Sequence, residues 1–388
     1  MSLSVSNQVR ANYAKTLKAK EEEAVKAKVE DTSAEPKKAG DSGCLKNYFF
    51  AASKVSFGHP CTTGQFEVKR LHDVPCCCCG KPMLRASDQQ VCEKALAKTS
   101  GANLAANIKE YSKYMRADEK ALATIIAHDA QKTGGDISTS MRRIGPKLHE
   151  LTGEYANGIL TELNTMATGS FKSEENPVAD LIKAAQKGIK DGKGLDRCDF
   201  VEKLDKATAS LSEEEQGLIQ DLAMNLPQSF EHVQRIHDKY ADRSNGDIAR
   251  RIFSTALTTA EHIHPHSLGG PDDTDNYIAE CAGCNNPRGS MDYADWLKVH
   301  PEYPRKAQEH IEHVQARLIN GEISRSYTDY PVKVRESLSN ESNGRMVLKV
   351  LNPETIERMR EQRKISGNVT IEDVKAAYEE QENETENV

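Results

Sequence analysis

The residues best equipped for chemistry crowd into one stretch, TTAEHIHPHSLGGPDDTDNYIAECAGCNNPRGSMDYADWL, residues 258–297. His262 stands beside Glu261, His264 and His266 follow at alternate positions, and Asn276, Asn285 and Arg288 lie downstream. A neutral imidazole can take a proton from water near pH 7. Carboxylate and amide oxygens suit a hard divalent cation. The stretch also holds a C-x-x-C pair, Cys281 and Cys284, and a second pair, Cys76 and Cys79, brackets the run CCCC. Two such pairs supply the four thiolates of a tetrahedral zinc site. Ten cysteines might otherwise suggest disulfides. Adjacent cysteines do not readily bridge one another, and no apolar export signal accompanies them, so metal ligation is the expectation. Cys77 and Cys78 blur the register, since only 76 and 79 give the usual spacing.

The order and spacing of Glu261, His262, Ile263, Pro265, Ser267, Gly269, Gly270, Asn276, Cys281, Cys284 and Asn285 resemble the HNH endonuclease family, whose pattern runs [D/E]-H-I-x-P-x-S-x-G-G…N…C-x-x-C-N. The resemblance spans the motif stretch and the detached cysteine pair, and covers nothing of the region between. It implies a β-hairpin followed by a helix, framing one Mg²⁺ or Mn²⁺. Hydrolysis of a phosphodiester needs a deprotonated water and a sink for the charge on phosphate and leaving oxygen. By the resemblance, His262 is the general base, and Glu261 and Asn285 are the ligands of the catalytic metal. Asn276 braces the loop and holds the backbone and ring of His262. Cys76, Cys79, Cys281 and Cys284 hold a structural Zn²⁺. Asp is more usual in the family at the position of Glu261, and the longer side chain bears on metal affinity. His264, His266, Arg250, Arg251 and Arg288 are the candidate substrate contacts, with polar loop or solvated surface roles as the alternative. Gly269 and Gly270 serve the turn.

These groups need elements to position them, and the pattern outside the motif is mainly helical. Residues 87–255 read as successive helices, with apolar residues recurring at three and four in ANLAANIKEYSKYM, EYANGILTELNTM and PVADLIKAAQKGIK. Ser212 and Glu215 have capping-box spacing, and Pro227 closes that helix. The expected fold class is α+β, mainly helical: a small ββα-metal core with a zinc knuckle, interrupted by a large inserted helical domain. The expected divisions are 1–45, a solvated or disordered segment rich in Lys, Glu, Ala and Ser; 46–86, the first part of the core; 87–255, the insertion; 256–330, the nuclease core and following helix; and 331–388, a helix and acidic tail. NYFFAASKVSFGHP and QFEVKRL are β-prone. Further helices fall at about 304–320 and 353–364, and YEEQENETENV reads as a solvated tail. His310 and His313 read as surface residues, and Trp296 as packing. DGKGLDRCDFVE, 191–202, has the length of a calcium loop but not its ligands, and reads as a turn and a helix start.

The net charge of -7 disfavours a nucleic-acid partner at first sight. Residues 366–388 account for nearly all of it, with seven acids against Lys375 alone, and a near-neutral body can carry a basic groove. No apolar run reaches the roughly 20 residues of a membrane span, and the expected location is the cytoplasm, with delivery by a specialised secretion route as the alternative. The resulting expectation is a metal-dependent endonuclease acting on nucleic acid, DNA over RNA, as a toxin, effector or defence nuclease. A regulatory or immunity partner would use the helical domain. The competing reading is a catalytically weak, zinc-stabilised nucleic-acid-binding or protein-interaction module.

Overall fold

A computed structural model describes residue 65 and residues 68–171, 176–291 and 293–386. The expectations for 1–45 and for the β-prone stretch at 47–60 lie outside the described residues. Helices dominate: α1 (Ala86–Ala97), α2 (Gly101–Tyr111), α3 (Ala117–Thr133), α4 (Ile137–Ile144), α5 (Leu148–Ser170), α6 (Pro177–Lys190), α7 (Arg197–Thr208), α8 (Glu213–Ala223), α9 (Phe230–Tyr240) and α10 (Asn245–Ser254) precede the motif. An antiparallel hairpin, β1 (Thr258–His262) and β2 (Tyr277–Cys281), is followed directly by α11 (Ala282–Arg288). Then come α12 (Tyr293–Val299), α13 (Tyr303–Ile319), α14 (Tyr330–Glu341), α15 (Pro353–Ser366) and α16 (Ile371–Glu386). The fold is α+β and mainly helical, with one two-stranded sheet among the described residues.

Local sequence sets the helix starts. Asp136, Asn176, Asp196, Ser229 and Ser244 each accept a backbone N–H at an N-cap, which satisfies a donor the helix itself cannot. Ser212 and Glu215 form the full capping box of α8. The calcium-like stretch at 191–202 is a turn leading into α7, as its composition suggests.

Apolar packing divides the chain. One cluster joins Leu84 to α1–α4, α9 and α10 through residues such as Leu104, Ile126, Met141 and Phe253. A second joins α5–α8 and Phe230. A third combines Val68, Leu71, Val74 and Cys76–Cys78 with Ile263, Tyr277, Trp296, Tyr303, Ile311 and Tyr330. The residues on either side of the helical stretch thus share a core that the stretch itself does not enter. Chain exit and return are adjacent: Leu84 N–H donates to Ala256 O at 2.8 Å, and Thr258 N–H donates to Leu84 O at 2.9 Å.

Three local expectations change. The described residues of QFEVKRL are not extended: Gln65 and Val68 are helical and Leu71–Asp73 is a 3₁₀ turn, and Val68 and Leu71, three apart, are both buried as helical spacing allows. The acidic end is helical through Glu386, since Val374, Ala377 and Tyr378 recur at helical spacing and pack on α13 and α15. The Tyr378 hydroxyl donates to Gln315 Oε1 at 2.6 Å. His310 is fully buried, with Nδ1 2.7 Å from Pro75 O, and burial lowers its pKa to about 4. Among the described residues, no helix is long and apolar enough to cross a membrane.

Arg251 on α10 pairs with Glu119 on α3 at 2.6 Å, both largely buried. Removing one partner of a buried pair leaves an uncompensated charge, at a cost of about 3–5 kcal/mol. Arg251→Ala is therefore expected to lower stability in a denaturant titration by that amount. A loss below about 1 kcal/mol, with weakened nucleic-acid binding, would instead mark Arg251 as a phosphate contact.

Candidate active site

The hairpin register sets Glu261 opposite Ile278 and His262 opposite Tyr277. Side chains alternate along a strand, so the two motif residues face opposite sides. Glu261 goes inward and is only 4% exposed. Burial pushes its carboxyl up to about 7, against the opposing pull of Arg288. Arg288, at the end of α11, contacts Glu261 Oε1 and the His262 carbonyl, donates to Met291 O at 3.0 Å and lies over the Tyr293 ring at 4.7 Å. It is 2% exposed, so the arrangement presents no open guanidinium face to a substrate.

His262 goes outward and keeps part of its ring accessible. Its Nε2 is 2.8 Å from Asp272 Oδ1, and the Tyr277 hydroxyl donates to the same oxygen at 2.7 Å. These two contacts hold the Asp272 carboxyl below the usual carboxylate range. The Tyr277 ring packs on His262 with centroids 4.6 Å apart. Asn276 acts on the backbone: its Oδ1 accepts from His264 N–H at 2.7 Å, and its Nδ2 donates to His264 O and Pro271 O, each at 2.9 Å. It ties together the two ends of the 264–271 loop, while Asp272 and Tyr277 hold the His262 ring. His264 Nδ1 is 3.0 Å from Glu341 Oε1, and this contact raises the His264 pKa. His266 is more exposed, with Nε2 3.6 Å from Asp272 Oδ2.

Asn285 lies on α11 and donates through Nδ2 to Thr259 Oγ1 at 3.0 Å. Thr259 and Glu261 alternate onto the same strand face, so the Asn285 amide and the Glu261 carboxylate belong to one side of the hairpin. A carboxylate and an amide oxygen fit a hard divalent ion in kind. The buried carboxylate needs a cation, and Arg288 supplies one here. Arg250 is 3.7 Å from both Glu93 and Asp247, and Arg251 is held by Glu119.

Cys76, Cys79, Cys281 and Cys284 converge, with ligand sulfurs all within 4.8 Å of one another. Arg116 Nε lies 2.9 Å from Cys281 Sγ, and Cys281 N–H donates to Cys76 Sγ at 3.3 Å. Positive charge and N–H donors turned on sulfur favour thiolates, so the cluster could hold zinc.

Asp272, Tyr277, Glu341 and Arg116 were not legible as site residues. The hairpin register could have found Tyr277, which sits across from His262. Asp272 is one of three acids in PDDTD, and nothing in their spacing singles it out.

A Cβ on Gly270 would lie 1.9 Å from the His264 carbonyl oxygen, part of the bracket Asn276 holds. A Cβ on Gly269 would meet nothing within 4 Å, although its φ of +97° disfavours other residues. Gly270→Ala should lower the melting temperature more than Gly269→Ala, whose cost is on the order of 1–2 kcal/mol. Equal melting curves would show that the loop does not need this close approach.

No curated protein and no solved structure matches the chain. The family model of HNH endonuclease matches residues 249–290, which take in the end of α10, the hairpin, its loop and α11. The hairpin and the helix after it are thus the segment that matches the HNH endonuclease domain.

Proposed function

We propose that the chain is a metal-dependent endonuclease that hydrolyses phosphodiester bonds in nucleic acid, DNA in preference to RNA. The observation that carries this reading is the partly exposed His262, braced by Asp272 and Tyr277 on the matched hairpin. With Nε2–H donated to Asp272, the lone pair is on Nδ1, ready to accept a proton from water. A base oriented by a third group is the arrangement that activates a nucleophile. Asn276 fixes the loop at that position. Glu261 and Asn285 are the residues that would hold Mg²⁺ or Mn²⁺. When bound, the ion supplies charge for the phosphate and the departing oxygen. Arg288 shares Glu261 with that ion and neutralises the carboxylate in its absence.

Cys76, Cys79, Cys281 and Cys284 are assigned to structural zinc, closing the core around the hairpin. Residues 87–255 are assigned to an inserted helical domain, supported by their separate cores and by the adjacent exit and return at Leu84 and Thr258. Such an insertion suits a regulated toxin, effector or defence nuclease, with the helices taking a partner protein. The Glu261–Arg288 pair supports a second reading, in which the guanidinium stays in place permanently and the domain binds nucleic acid without cutting it.

Supercoiled plasmid incubated with the protein and Mg²⁺, against a chelator control, separates the two. Cleavage that the chelator abolishes is expected, and binding without cleavage selects the second reading. His262→Ala should slow cutting by about 10²–10⁴-fold with the fold intact by circular dichroism. Wild-type rates in that variant would remove His262 from the chemistry. Glu261→Ala and Asn285→Ala should need more metal for half-maximal rate and recover partly in Mn²⁺. Unchanged metal dependence in both would place the ion elsewhere.

Structural zinc in small domains carries folding free energy on the order of 10 kcal/mol. Cys76→Ser and Cys281→Ser should therefore lose the tetracysteine ion and melt far below wild type, whereas Cys198→Ser should keep it. Unaltered zinc in Cys76→Ser would break the assignment.

A further inference from the structure

We propose that Cys78, Glu280 and Cys284 form a second metal-binding position, which shares the Cys284 sulfur with the tetracysteine site. Their ligand atoms all lie within 4.8 Å of one another, and all three residues are buried. That spacing suits one ion with bonds of about 2.0–2.3 Å. The donor set of two thiolates and a carboxylate favours zinc.

Glu280 carries the argument. It is fully buried on β2, and neither carboxylate oxygen has a hydrogen-bond partner. A buried carboxylate is tolerated when it is paired, ligated to metal or protonated. The nearby guanidinium of Arg288 is already taken by Glu261 and the His262 carbonyl. Glu280 faces two cysteine sulfurs instead.

The second position also accounts for the run of four cysteines. Cys76 and Cys79 belong to the tetracysteine cluster. Cys77 lies 3.4 Å from the Tyr303 hydroxyl. Cys78 has Glu280 and Cys284 as neighbours. His300 adjoins Cys78 and sets its Nδ1 2.8 Å from Glu302 Oε1. The charges also balance: one thiolate and one carboxylate meet the two positive charges of the added ion. A thiolate sulfur has lone pairs for two ions, which lets Cys284 serve both positions.

The test is the metal content of the full-length chain, purified without chelator and measured by plasma mass spectrometry against amino-acid analysis. Two zinc ions per chain are expected. Glu280→Gln, which keeps shape and removes charge, should fall to one, as should Cys78→Ser, while Cys77→Ser should hold two. If Cys78→Ser does not fold, Glu280→Gln decides alone. One zinc in the wild type, or two in Glu280→Gln, overturns the second position and leaves the tetracysteine assignment standing. No zinc at all overturns both. Cobalt substitution gives an independent readout: two Co²⁺ joined by one sulfur are magnetically coupled, and Glu280→Gln should show the spectrum of an isolated ion. An isolated-ion spectrum in the wild type also overturns the proposal.

Discussion

The core of this protein depends on two chain segments meeting that are separated by the whole helical stretch. Cys76 and Cys79 must reach Cys281 and Cys284, and Leu84 must lie beside Leu257. Without that meeting, the core loses Val68, Leu71 and Val74, and the hairpin by itself is only a two-stranded ribbon. Such a ribbon is marginal in water. Closing a long loop costs only slowly more as it lengthens, so a well-folded stretch between the two segments is tolerated. The stretch also makes its own cores, and one of them joins Leu84 and α1 to α10, which sets its two ends side by side.

Charge follows the same logic of enclosure. Two buried acids are matched to arginines, Glu119 to Arg251 and Glu261 to Arg288. The sulfur cluster has Arg116. Such pairs recover little net energy against solvated charges, yet losing either partner is costly. They fix which helix meets which. Arg116 precedes α3 and touches Cys281 of the hairpin, so the helical stretch is tied electrostatically to the sulfur cluster. The accessible charges of the outward face are different in kind. His262, His266 and Asp272 are partly open to solvent, where proton exchange with water is possible.

What the sequence made legible follows from locality. The ββα arrangement, the capping box at Ser212 and the converging cysteines depend on neighbours in sequence or on a ligand set that identifies itself by spacing. Misreadings came where tertiary burial overrode local preference. Val68 in QFEVKRL is β-branched and reads as strand, but a one-sided core selected helix and turn. YEEQENETENV is acidic enough to suggest a tail, and Tyr378 with Val374 and Ala377 upstream is sufficient to dock it. His310 stands between Glu309 and Glu312 in a polar stretch and reads as a surface residue, whereas its carbonyl partner Pro75 lies far away in the chain. The acidic partners Glu93 of Arg250 and Glu119 of Arg251 lie on α1 and α3, far from the pair in sequence, so neither contact could be read there.

The boundary of the motif is not the boundary of the site. The family match ends at residue 290, yet the outer end of the hairpin leans on α14. The Tyr330 hydroxyl accepts from Ala279 N–H at 3.3 Å, Lys333 reaches Asp275 at 2.6 Å, Ser337 donates to the Asp275 carbonyl at 3.0 Å, and Glu341 takes His264. Four contacts at helical spacing therefore run along one side of α14, from the middle of β2 to the loop that carries His264. A loop rich in Gly, Pro and Asp has many conformations to lose. Asn276 fixes its two ends, and α14 fixes the turn between Asp273 and Asn276 that sets Tyr277 and, through it, the ring of His262. The geometry of the matched hairpin is thus completed by a helix that begins about 40 residues beyond the end of the match, in a part of the chain where composition alone shows only amphipathic character.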